Sequence, residues 1–110
     1  MSSLGSINFT GASGKRYGFS VYAYGQEFRA VGAVYVVTKA TRNGNGGLTH
    51  TVLYVGETGD LSERFDDHHK AVCFRRNGAN RICVRTESSS KSRQVVEEDL
   101  IGYYAPHCNG

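Results

Sequence analysis

A cation and an imidazole stand four residues apart near the middle of the chain. Arg64 and His68 fall in a segment with helical periodicity, and residues at this spacing lie on neighbouring turns of one helix face. A guanidinium beside an imidazole, which titrates close to neutral pH, suits an anionic substrate. The same spacing also fits a histidine packed beneath a sheet and an arginine at the surface, so both interpretations stay open.

Two tyrosines and three acids could join this pair. Tyr35 and Tyr54 each stand within an apolar, β-branched stretch, where a buried tyrosine usually fills a core and finds one hydrogen bond. Glu97, Glu98 and Asp99 are consecutive, and successive helical residues point about 100° apart, so one or two can face one cleft. A carboxylate there could hold a hard divalent ion such as Mg²⁺, or the acids could form a solvated face.

The basic residues are unevenly distributed. The chain has 13 Lys and Arg against 10 Asp and Glu, a formal net charge of +3. Between His68 and Thr86 there are five basic residues and no acid. Because the planar guanidinium suits phosphate, this stretch is a candidate nucleic-acid surface, with a solvated basic face as the alternative. The candidate binding residues are Lys70, Arg75, Arg76 and Arg81.

The three cysteines, Cys73, Cys83 and Cys108, are odd in number and irregularly spaced. This pattern does not predict a disulfide framework, and we expect small buried thiols in a reducing, cytoplasmic compartment. The spacings of cysteine and histidine match no common structural zinc site. We expect no signal peptide, since the first five residues carry neither a basic nor an apolar region. We expect no membrane partner, since no apolar run approaches the roughly 20 residues that a spanning helix needs.

The candidate residues must be positioned by strands and helices. Alternating or continuous apolar patterns predict strands at 7–10, 16–24, 31–38, 50–56 and 80–86, with a mobile loop at 41–47 inside an antiparallel pair. One helix is predicted from Leu61, capped by Asp60, to the break at Asn77-Gly78, with Leu61, Phe65, His68 and Val72 on one face. Another is predicted at 91–104, with Val96, Leu100 and Tyr103 inward and Pro106 ending it. The order predicts an α+β domain with a small, mostly antiparallel sheet flanked by helices.

Together these residues resemble the GIY-YIG nuclease family. The first family motif is similar to Ala33-Val34-Tyr35 and the second to Tyr54-Val55-Gly56. Arg64 falls where the family has a helix arginine, and His68 where it has a His or Tyr. Glu97 resembles the metal-binding glutamate of the family, and Asn109 resembles the asparagine of its P-x-x-N ending. The resemblance spans Gly32 to Asn109. It departs at Ala33, which replaces a glycine, at the longer loop between the motifs, and at Glu57, where some relatives have a lysine.

The resemblance implies a GIY-YIG-like core at residues 32–110, with residues 1–31 as a hairpin extension of one compact domain. It implies a divalent-metal-dependent endonuclease that hydrolyses phosphodiester bonds in DNA, with one Mg²⁺ or Mn²⁺ held by Glu97. Tyr35 would be the general base or its relay, helped by His68 and by Arg64, which would also neutralise the phosphate. Tyr54 would complete the hydrogen-bond network, and Asn109 would brace the site.

Two alternatives to the endonuclease remain at this point. One is a non-catalytic nucleic-acid-binding module with the GIY-YIG fold. The other is an interaction or structural domain in which the two tyrosines and the histidine are core residues. No element that would read bases is visible, so we expect weak or no sequence specificity.

Overall fold

One antiparallel sheet organises the computed structural model of the protein, which describes residues 3–65 and 68–110. Its strands in the described residues are β1 (Gly5–Thr10), β2 (Arg16–Ala23), β3 (Ala33–Arg42), β4 (Leu48–Thr58) and β5 (Arg81–Thr86). They lie in the order β1-β2-β5-β3-β4, and every neighbouring pair is antiparallel. With the helices described below, this confirms the predicted α+β class.

Helices cover both faces of the sheet. The helix α3 (Ser90–Tyr104) packs through Val96 and Leu100 on the face that carries Val34, Val36 and Val55, which we call the α3 face. The short helices α1 (Leu61–Arg64) and α2 (Ala71–Arg76) and a 3-10 helix (His107–Asn109) pack on the opposite, α1/α2 face. Because β3 is covered on both faces, residues 33–38 are buried without alternation.

The N-terminal hairpin is part of the same sheet. The strands β1 and β2 pair with each other, and β2 pairs with β5, so the hairpin extends one edge as expected. Asp99 of α3 anchors its turn by accepting hydrogen bonds from the Ser13 backbone N–H (2.8 Å), the Ser13 hydroxyl (2.6 Å) and the Tyr17 hydroxyl (2.7 Å). A side chain at Gly11 would overlap the Asp99 carboxylate and displace it from its hydrogen bonds to this turn.

The helix predicted at 91–104 is present, but its inward stripe differs at one position. Ser89 caps α3 by accepting from the Ser92 backbone N–H at 3.2 Å, and the helix ends before Pro106. Tyr103, expected inward, is 58% exposed, whereas Tyr104 packs on Phe9 and accepts from the Thr10 backbone N–H at 3.2 Å. The stripe therefore continues from Leu100 by four residues instead of three, because this turn of α3 meets β1.

The single helix predicted from Leu61 to Asn77 is wrong. Arg64 ends α1, while His68 precedes α2 and is not helical. The His68 ring accepts the Lys70 backbone N–H at 3.0 Å, which removes that donor from any helical hydrogen bond. Val72, expected on the apolar face, is 51% exposed.

The capping of α1 also differs from the expected capping box. Asp60 accepts from the Ser62 backbone N–H at 3.0 Å, as an N-cap should. Its own backbone N–H donates to the Thr58 hydroxyl at 3.1 Å, where the box would use Glu63. The cap is therefore one-sided, in keeping with the shortness of α1.

Two of the three cysteines are joined, contrary to the expectation of free thiols. Cys73 on α2 and Cys108 in the 3-10 helix form a disulfide between positions 35 residues apart, with Cα atoms separated by 5.9 Å. Cys83 on β5 is a buried thiol, and burial raises its pKa to about 12. The cytoplasmic compartment, expected from free thiols, loses that support because disulfides are rare in a reducing cytosol. No helix within the described ranges is long and apolar enough to cross a membrane.

Candidate active site

The hydroxyl of Tyr35 is the point where the candidate residues meet. Tyr35 lies on β3 with its ring on the α1/α2 face and is 0% exposed. The Nε of Arg64 donates to its oxygen at 2.8 Å. The Nε2 of His68 lies 2.8 Å from the same oxygen. Arg64 and His68 therefore meet at Tyr35 although they do not share a helix.

A backbone contact decides which way the proton lies between His68 and Tyr35. The Nδ1 of His68 accepts the Lys70 backbone N–H at 3.0 Å, so the neutral imidazole must carry its proton on Nε2. Burial, followed by the charge of Arg64, lowers the pKa of His68 to about 4. His68 is therefore neutral at pH 7 and donates to Tyr35. The Tyr35 oxygen accepts two hydrogen bonds, and its own proton is used by neither neighbour.

The protonation of Tyr35 is set by two opposing effects. Burial raises the pKa of its phenol, and the hydrogen bond and charge of Arg64 lower it by less. The net pKa is raised well above the ordinary value, so the phenol is neutral at pH 7. Its two donors nevertheless face the oxygen on which a negative charge would develop, which is the arrangement that stabilises a transient phenolate.

Tyr54 and Gly56 complete the packing around this phenol. The Tyr54 ring stacks on Tyr35 with centroids 6.0 Å apart, and Tyr54 is 7% exposed. Gly56 is the register partner of Tyr35, and a Cβ placed on it would lie 2.5 Å from the Tyr35 Cζ and Oη and 2.8 Å from the Tyr54 Cε2. The third residue of Tyr54-Val55-Gly56 is thus glycine for a steric reason.

Glu97 lies on α3, which packs on the face of the sheet opposite Tyr35. Burial raises the pKa of its carboxyl, as do the charges of Glu57 and Glu98, while Arg64 and the Glu57 backbone N–H lower it. The charge of Arg64 therefore influences Glu97, although no ion pair joins the two side chains within the described residues. Of the three consecutive acids, Glu97 is half-buried, Glu98 is exposed, and Asp99 binds the turn of the hairpin.

An arginine that the sequence analysis did not select lies beside Glu97. Arg93, one helical turn earlier, is 7% exposed and pairs with Glu57, its Nε lying 2.8 Å from the Oε1 of Glu57. Its Nη1 donates to the carbonyls of Glu87 and Ser88, each at 3.0 Å. The ion pair holds Glu57 against α3, close to Glu97. In the sequence, only the four-residue spacing of Arg93 and Glu97 indicated that Arg93 would lie on the same helix face as Glu97.

The carboxylates of Glu97 and Glu57 fit a divalent ion in only one way. Within residues 3–65 and 68–110 there is no group of three or more His, Cys, Asp or Glu side chains placed to hold a metal. Mg²⁺ commonly binds through one carboxylate and completes its shell with water and substrate phosphate. Glu97 fits that mode because a cation would offset the repulsion from Glu57, whose own charge is committed to Arg93.

Asn109 braces the strand that carries Tyr54. Its Oδ1 accepts the Val55 backbone N–H at 2.8 Å, and its Nδ2 donates to the Val55 carbonyl at 2.9 Å. Since β4 is an edge strand, the carboxamide takes the place that a further strand would occupy. The neighbouring disulfide at Cys108 ties this segment to α2.

The basic residues do not form the single surface expected for the stretch between His68 and Thr86. Lys70 precedes α2, and Arg75 and Arg76 are exposed at its end, on the α1/α2 side. Arg81 alternates with Ile82 on β5 and points to the α3 face, where it lowers the pKa of His50. The acid-free stretch is divided because a strand sends successive residues to opposite faces.

The site is assembled but closed. Tyr35 is 0% exposed, His68 4% and Tyr54 7%, while Arg64 and Glu97 are half-buried. A substrate could therefore reach the Tyr35 hydroxyl only after side chains that cover it have moved. The arrangement combines a phenol held by two donors, a guanidinium and a carboxylate. No family model, no curated protein and no solved structure matches the chain.

Proposed function

We propose that the protein is a divalent-metal-dependent endonuclease that hydrolyses phosphodiester bonds in DNA. The observation that carries the proposal is the double donation of Arg64 Nε and His68 Nε2 to the Tyr35 oxygen, and the half-buried carboxylate of Glu97 is influenced by the charge of the same Arg64. A purely structural tyrosine needs one hydrogen bond, whereas this oxygen receives two, from Arg64 and His68.

Arg64 is suited to receive the phosphate. Its Nε donates to Tyr35, and it forms no ion pair with a carboxylate among the residues that the structure describes. Two parallel N–H donors match the oxygens of a phosphate diester. A phosphate that draws the guanidinium outward would also uncover the Tyr35 hydroxyl, which links binding to opening of the site.

Tyr35 is suited to orient the attacking water. In hydrolysis the water oxygen bonds to phosphorus, the bond from phosphorus to the 3′ oxygen breaks, and the water proton must be accepted. Tyr35, after losing its own proton to solvent, would accept that proton as a phenolate stabilised by the N–H groups of His68 and Arg64. Glu97 would hold the metal ion, which supplies positive charge at the phosphate and the leaving oxygen.

The basic residues near the site suit the flanking nucleic acid. Lys70 is two residues from His68, and Arg75 and Arg76 are exposed at the end of α2. These three could contact phosphates on one side of the scissile bond. Arg81 lies on the opposite face of the sheet and is left out of the proposed interface.

Nicking of supercoiled plasmid in Mg²⁺ or Mn²⁺ tests the proposal. Wild-type protein should nick, and Glu97→Ala and Tyr35→Phe should lower the rate by about 10²-fold or more, the typical size of a general acid–base contribution. The matched controls are Glu98→Ala, an exposed neighbouring acid, and Tyr103→Phe, an exposed tyrosine, which should both keep wild-type rates. Equal nicking by all five proteins would trace the activity to a contaminant and reject the proposal.

A second candidate function is nucleic-acid binding without turnover, and the complete burial of Tyr35 favours it. It predicts salt-sensitive DNA binding and no nicking with any divalent ion. In fluorescence-anisotropy titrations Tyr35→Phe should bind as wild type, and Arg75→Ala/Arg76→Ala should bind more weakly. Nicking that depends on Glu97 would exclude this candidate.

A further inference from the structure

A groove of about 480 Å³ lies on the α3 face of the sheet, away from Tyr35. The sheet curls so that Leu4, before β1, and Leu48, at the start of β4, line the same groove, with Val21 of β2 also in its wall. His50 and Arg81 complete the lining. The volume falls within the range of about 300–1,000 Å³ typical of small-molecule sites.

The groove is positively charged. Arg81 contributes a guanidinium, and no acidic side chain is among the residues that line the groove. The Nη1 of Arg81 donates to the Asn80 carbonyl at 2.9 Å, and within the described part of the chain the side chain has no carboxylate partner. A half-buried cation without a counter-charge favours an anionic occupant.

His50 adds a neutral imidazole beside Arg81. Its Nδ1 lies 2.9 Å from the hydroxyl of Thr38, which is 0% exposed. Burial, and then the charge of Arg81, lowers the pKa of His50, so the ring is neutral at pH 7. When Thr38 donates to Nδ1, the proton of the ring lies on Nε2, which is left to donate to a ligand.

The walls of the groove are apolar and exposed. Leu4 is 60% exposed and Leu48 is 47% exposed, two of the few large hydrophobic side chains at the surface. Ile7 and Val21 lie behind them. A phosphate backbone would make no use of these walls, whereas a ligand with both a charged head and an apolar tail would use the cation and the leucines together.

We propose that this groove binds a small organic anion, a carboxylate on an unbranched apolar tail. Its head group would contact the Arg81 guanidinium and the His50 ring, and its tail would lie between Leu4 and Leu48. The site stands on the opposite face of the sheet from Tyr35, so the proposal is independent of the proposed hydrolysis. Arg81, expected at a nucleic-acid surface, would instead recognise this ligand.

Titration of the ¹⁵N-labelled full chain with sodium octanoate, followed by ¹H–¹⁵N correlation spectra, tests the proposal. Amides of residues 4–7 and 46–50 should shift and saturate. Arg81→Gln should raise the Kd about 10- to 100-fold, the loss expected for a charge-assisted hydrogen bond. The matched control Arg76→Gln, on the other side of the sheet, should leave the Kd unchanged.

Two further ligands and one further variant make the test decisive. The uncharged 1-octanol and inorganic phosphate should each bind much more weakly than octanoate, because one lacks the head group and the other the tail. Leu48→Glu places a like charge at the exposed mouth, where folding is not at risk, and should abolish the shifts. Octanoate binding that survives both Arg81→Gln and Leu48→Glu, or octanol or phosphate binding as tight as octanoate, would overturn the proposal.

Discussion

Replacing Gly56 by alanine is the most direct test of how Tyr35 is held. The added Cβ would lie 2.5 Å from the Tyr35 Cζ and Oη and 2.8 Å from the Tyr54 Cε2. Ordinary carbon contacts lie at about 3.5–4.0 Å, so the phenol must move by about 1 Å. Tyr35 is packed on all sides by Tyr54, Phe65 and His68, which leaves little room for that movement.

The cost of this overlap can be stated in advance. Overpacking a filled core typically costs about 1–3 kcal/mol. A displacement of about 1 Å also lengthens the 2.8 Å contacts of the Tyr35 oxygen with Arg64 and His68 beyond good hydrogen-bond geometry. We therefore expect Gly56→Ala to lower the free energy of unfolding by about 2–4 kcal/mol, the overlap and the weakened hydrogen bonds taken together.

Urea unfolding followed by circular dichroism measures the change, with Gly44→Ala as the control. A Cβ at Gly44 meets nothing within 4 Å, so this variant should stay within about 0.5 kcal/mol of wild type. Combining Gly56→Ala with Tyr35→Phe should relieve only part of the overlap, because the Cζ of residue 35 and the Cε2 of Tyr54 remain in the way of the Cβ. A Gly56→Ala protein as stable as Gly44→Ala would refute the steric argument.

Three further predictions follow from the site and its supports. Reducing the Cys73–Cys108 disulfide should lower the free energy of unfolding by about 2–4 kcal/mol in urea titrations, and Cys108→Ser should remove the response to reductant. The His68 imidazole should titrate in NMR spectra at about 4. Because this folded pKa lies below the usual histidine value of about 6.5, the free energy of unfolding should fall as the pH drops from about 6.5 to about 4, and His68→Gln should flatten that dependence. If the Tyr35 phenolate accepts the water proton, the nicking rate should rise about tenfold per pH unit between about pH 6 and pH 9, because the pKa of Tyr35 is raised above this range. A pH-independent nicking rate would exclude that role.

The sheet and α3 were predictable because their patterns are local. The alternation of Tyr17, Phe19 and Val21 indicates a strand with one buried face, and the apolar run at 31–38 indicates a strand covered on both faces. The end of α3 follows from Pro106. The α+β class needs only this order of elements.

The failures concern contacts between distant residues. The pairing of Cys73 with Cys108 joins segments 35 residues apart, and spacing carries no information about it. The break before α2 depends on His68 turning toward Tyr35 and the Lys70 backbone, a choice made by tertiary packing. Arg81 was grouped with Arg75 and Arg76 by composition, although strand alternation alone would have separated them.

The candidate site likewise has features that the sequence predicts and features that it does not. The meeting of Tyr35, Tyr54, Arg64 and His68 was expected from a resemblance, and the structure brings these four together. The proton position on His68 was not predictable, because it depends on the backbone of Lys70. The burial of Tyr35 was not predictable either. Strand periodicity indicates the face of the sheet on which a side chain lies, but it does not indicate which residues cover that face.

The carboxamide of Asn109 also governs how the protein meets copies of itself. An edge strand with free N–H and C=O groups is a template for intermolecular pairing and aggregation. At Val55 those groups are occupied, so an incoming strand would first have to expel Asn109. The disulfide at Cys108 holds the segment that carries Asn109. Reducing conditions would therefore make self-association through β4 easier as well as destabilise the fold.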